Sequence, residues 1–150
     1  MEPQTSRVLC RAQAFFDANQ EVLVVSGYGA GDRDYMVAKS LNEVLTFIRN
    51  TAPEYKTFAF GVFPASQLVL HGIVNSEFLK RAISLLTEVG PLVVIRMKPG
   101  DRGIMHGNDC DTIEELREEF SDLDGQSVAI GRSITLERLV ADMNRKSYSG

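Results

Sequence analysis

Residues 98–111, KPGDRGIMHGNDCD, gather Asp101, His106, Asp109, Cys110 and Asp111 in one short segment. Oxygen donors with one imidazole are the mixture a divalent metal needs to activate water. His106, Asp109 and Asp111 are therefore the candidate metal ligands, and Asp101, His106 and Asp109 the acid–base or metal groups of a hydrolytic site. Against this, a lone His without a second spaced His or Cys pair matches no metal-ligand spacing. Asp and Asn also serve turn geometry in a glycine-rich segment. Cys110 beside His106 gains reactivity if it stands at a helix start, whereas the carboxylates around it oppose ionisation. Cys10 falls next to core positions of a helix and reads as packing. His71 lies in an apolar stretch and reads as a core residue.

A second constellation is VLVVSGYGAGDR at 22–33. Read as strand, glycine loop and helix, it points backbone N–H groups at an anion. The candidate ligand-binding residues are Gly27, Gly29, Gly31, Asp32 and Arg33, joined by Asp101 and Arg102 of the second Gly-Asp-Arg triplet. An arginine there can receive a carboxylate or phosphate bidentately, or hold the neighbouring aspartate. The dinucleotide fingerprint is incomplete, because Asp32 stands where its third glycine belongs, and no Gly-Lys-Ser/Thr of a phosphate-binding loop occurs. Ser26 lacks the G-x-S-x-G setting of a nucleophile.

Apolar spacing defines the elements that would position these groups. Val8, Leu9, Ala12, Phe15 and Phe16 mark a helix over 6–18. Met36, Val37, Leu41, Val44, Leu45 and Ile48 fit a helix from Asp34 to Arg49, and Phe78, Leu79, Ala82, Ile83 and Leu86 a helix from Asn75 or Ser76. Thr112 and Glu115 form a capping box ahead of a helix over 112–120. Leu136, Leu139, Val140 and Met143 mark a last helix at 134–146. Strands are expected at 21–27, 56–63, 91–97 and 127–131, and residues 64–74 read as a short helix in preference to a hairpin arm. Continuous apolar centres such as LVV at 23–25 suggest strands buried on both faces, as in a parallel sheet.

An offset of 70 residues superposes Ser6, Leu9, Arg11, Ala12 and Val24 on Ser76, Leu79, Arg81, Ala82 and Val94, and FAFG at 58–61 on VAIG at 128–131. The expected fold is α/β: one domain, 1–150, of alternating helices and strands around a mostly parallel sheet of about four strands. Two helix–strand–helix–strand repeats, 5–74 and 75–146, are expected within it.

The chain has 150 residues, 44% hydrophobic and 24% charged, with eight Phe, four Tyr, no Trp and a net charge of −4. That composition supplies a core without disulfide or metal, and its acidity opposes broad nucleic-acid binding. No apolar run approaches the ~20 residues that cross a bilayer, no leader peptide is evident, and two cysteines build no disulfide framework. A soluble, cytoplasmic protein without a cofactor is the expectation. Its expected function is that of a non-catalytic binding or regulatory module with a protein partner, including a second copy of itself. The alternative is a small-molecule or anion (nucleotide or phosphate) site, or a metal-assisted hydrolase, at loops 26–35 and 98–111.

Overall fold

The computed structural model describes residues 3–28, 32–51, 59–98 and 104–134. The chain divides into two compact units. Unit 1 comprises Met1–Ala65, Asp101–Ile104 and Ile134–Gly150, and unit 2 comprises Ser66–Gly100 and Met105–Ser133.

In unit 1, helix α1 (Pro3–Asp17) leads into strand β1 (Val22–Tyr28), strand β2 (Asp32–Ala38), helix α2 (Leu41–Thr51) and strand β3 (Ala59–Pro64). β1 is the middle strand and pairs antiparallel with both others, Val24 standing opposite Met36 on β2 and Val62 on β3. One face of this sheet carries Val22, Val24, Phe60 and Val62 against Val8 and Ala12 of α1 and Val44, Phe47 and Ile48 of α2. Phe47 and Phe60 meet edge to face at 6.2 Å. α2 starts where Ser40 Oγ accepts from the Glu43 N–H and Glu43 accepts from the Lys39 N–H. Together these satisfy two N–H groups at the helix start.

Unit 2 begins with a 3-10 turn at Ala65–Gln67, whose first residue closes unit 1, and strand β4 (Leu68–Ile73). Helix α3 (Ser76–Val89), strands β5 (Leu92–Arg96) and β6 (Met105–Cys110), helix α4 (Ile113–Asp122) and strand β7 (Ser127–Arg132) follow. The strand order is β6-β5-β7-β4, and each of these pairings is antiparallel. α3 and α4 lay Phe78, Ala82, Leu86, Leu116 and Phe120 over Leu92, Val94, Val128 and Ile130. The predicted caps are in place: Asn75 Oδ1 accepts from the Phe78 N–H at 2.8 Å, and Thr112 Oγ1 accepts from the Glu115 N–H at 3.1 Å.

This architecture corrects the expected fold class. The described residues form seven strands rather than about four, and the strand pairings just given are antiparallel rather than mostly parallel. The helices α2, α3 and α4 do join strands that run in the same direction, but each time an antiparallel strand lies between them: β1, β7 and β5 respectively. Continuous burial misled the reading of direction. Val22–Val25 are all 0% exposed and Leu92–Ile95 at most 1%, yet both strands are central in antiparallel ladders, so burial on both faces does not require parallel neighbours.

Three further expectations change. The helix expected from Asp34 gives way to β2, and α2 starts only at Leu41. The segment expected as a loop up to Asp111 contains β6, and residues 64–74 hold the 3-10 turn and β4, which pairs with β7 and not with β3. Each unit therefore contains a helix–strand–strand–helix–strand motif, preceded in unit 2 by β4, and the last strand of the motif lies beside its first (β3 beside β1, β7 beside β5). The ladders align Val62 with Ile130, since these stand opposite Val24 and Val94. That is two residues away from the match of FAFG with VAIG. The last predicted helix, 134–146, lies outside the described residues save its first position.

Candidate functional site

β4 is the outermost strand of its sheet, so one row of its backbone N–H and C=O groups has no strand partner among the described residues. It is held from the other side by β7, with Leu70 opposite Ile130, His71 opposite Ala129 and Ile73 opposite Ser127, after an irregularity between Leu68 and Leu70. Two glycines let this strand lie close. A Cβ at Gly131 would run into the Gln67 carbonyl oxygen, and one at Gly72 would come 2.5 Å from Phe78 Cε2. Beyond β4, Val74 continues the pairing, its N–H donating to Gln126 O and its carbonyl accepting from Gly125 N–H.

Alternation along β4 sends Leu68, Leu70 and Gly72 inward and Val69, His71 and Ile73 outward. Val69 and Ile73 are 56% and 57% exposed, the most exposed large aliphatic side chains among the described residues. His71, expected in the core, is exposed beside them, its Nε2 3.1 Å from Leu68 O. The row is therefore two β-branched side chains flanking an imidazole, on an open sheet edge. Such an edge accepts another strand through main-chain hydrogen bonds, with alternate side chains supplying selectivity.

The residues nominated from the sequence are placed differently. Gly27 pairs with Arg33 and Tyr28 with Asp32, so β1 is followed by the antiparallel strand β2 and not by the helix expected from Asp34. Gly29, Gly31, Asp101 and Arg102 lie outside the described residues. His106 and Asp109 occupy positions of opposite parity on β6, which turns their side chains to opposite faces. Asp109 accepts from Ser133 Oγ at 2.9 Å, and Asp111 is exposed ahead of α4. Among the described residues no group of three His, Cys, Asp or Glu is arranged to hold a metal ion. Cys110 is buried, and burial together with Glu119, Glu115, Asp109 and Asp111 pushes its thiol up to about 12. Both effects oppose a nucleophilic role at neutral pH.

One polar feature escaped the sequence reading. Ser26 and Asp34 stand opposite each other on β1 and β2, 0% and 6% exposed, on the face that α1 and α2 cover. Ser26 Oγ has no hydrogen-bond partner among the described residues. The available signal was a polar residue at each end of two apolar runs joined by a short Gly-Ala-Gly segment, which is a hairpin pattern. Unit 2 also contains two surface hollows. One, of about 380 Å³, lies at the start of α3 and includes Asn75, Ser76, Arg117 and Asp124. The other, of about 300 Å³, is acidic, with Asp109, Glu115, Glu118, Glu119 and Asp122.

Among the described residues no helix is long and apolar enough to cross a membrane. No protein-family model, curated protein or solved structure matches this chain.

Proposed function

We propose that this protein is a non-catalytic binding or regulatory module that engages a protein partner along β4, in the cytoplasm. The observation that carries this reading is the uncharged edge strand with Val69 and Ile73 exposed on one side. Edges of monomeric sheets are blunted by charged residues, proline, bulges or a covering element; none of the residues 68–73 is charged or proline, and the one register shift, between Leu68 and Leu70, leaves Leu70–Ile73 regular. Free thiols at Cys10 and Cys110 suit a reducing compartment. The shared element order of the two units supports an origin by duplication of one helix–strand–strand–helix–strand unit.

The test compares capture of cellular proteins by the wild-type chain and by a Val69→Lys/Ile73→Lys variant. Both substitutions are on exposed positions, so far-UV circular dichroism of the variant should match wild type. The expected result is a set of proteins retained by the wild type and lost by the variant. Identical capture by both would refute the role of β4.

A further inference from the structure

We draw no further inference here: the strongest candidate, the hollow of about 380 Å³ at the start of α3 that includes Asn75, Ser76, Arg117 and Asp124, is a helix N-terminus flanked by exposed side chains of both signs, and nothing among the described residues points to a ligand in it.

Discussion

Gly72 and Phe78 give a quantitative check on how β4 is seated. A methyl at position 72 would lie 2.5 Å from Phe78 Cε2 and 2.7 Å from Cδ2, about 1 Å inside the optimal carbon–carbon separation. The ring has little room to yield. It is 4% exposed, meets Phe120 edge to face at 5.8 Å, and carries Arg81 over its face. Forcing a methyl into a filled core costs about 1–3 kcal/mol. Replacing glycine by alanine in extended backbone returns about 0.4–1 kcal/mol by restricting the unfolded chain. Gly72→Ala should therefore destabilise by about 1–2 kcal/mol. In a Phe78→Leu background the obstructing ring atoms are gone, and the same substitution should be neutral or stabilising by up to about 1 kcal/mol. The coupling energy expected between the two sites is about 1–3 kcal/mol. Urea unfolding followed by far-UV circular dichroism measures it, since the sequence has no tryptophan to report by fluorescence. Costs for Gly72→Ala that agree within about 0.5 kcal/mol in the two backgrounds would refute the packing of Phe78 on Gly72.

Thr112→Ala should cost about 1 kcal/mol, because Thr112 Oγ1 accepts from the Glu115 N–H at 3.1 Å. Thr112→Ser should restore the loss in the same urea assay. Ser26→Ala should stabilise by about 1 kcal/mol, since it removes a buried hydroxyl that has no partner among the described residues; a loss of stability would show that Ser26 is satisfied. A thiol reagent at neutral pH should titrate Cys10, which is exposed, and reach Cys110, which is buried, only on unfolding. The raised Cys110 pKa means the folded state keeps a proton that the unfolded chain releases. Its contribution is complete below pH 9.0 and is lost as pH rises towards about 12. Over that window stability should fall by up to about 1.4 kcal/mol per pH unit. Cys110→Ala should remove this part of the slope.

Helices α1, α3 and α4 were legible because their signals are local. Val8 and Ala12, Phe78 and Ala82, and Leu116 and Phe120 recur at helical spacing, and Asn75 and Thr112 sit at cap positions. Strands β1, β5 and β7 were legible as apolar runs, although their direction was not. α2 was legible in part: Ser40 and Glu43 mark its start, but apolar residues further upstream extended the helical pattern to Asp34. β2 and β6 were missed for a different reason. MHGNDC has little intrinsic preference for a strand, and it becomes one because β5 needs hydrogen-bond partners on both sides. β4 shows the same limit, since five or six residues fit either period and only pairing with β7 decides.

The candidate site divides along the same line. The sequence by itself determined that 57–76 would be a long uncharged stretch, that Cys110 would have carboxylates around it, and which helix faces would be apolar. Only the tertiary structure decided that Val69, His71 and Ile73 face outward on an edge, that 32–38 is a strand antiparallel to β1 and not the start of a helix, and that His106 and Asp109 point apart. Periodicity records which side chains are buried along one segment. Which strand lies beside another, and in which direction, is set by hydrogen bonds between residues distant in sequence, and no local pattern encodes it.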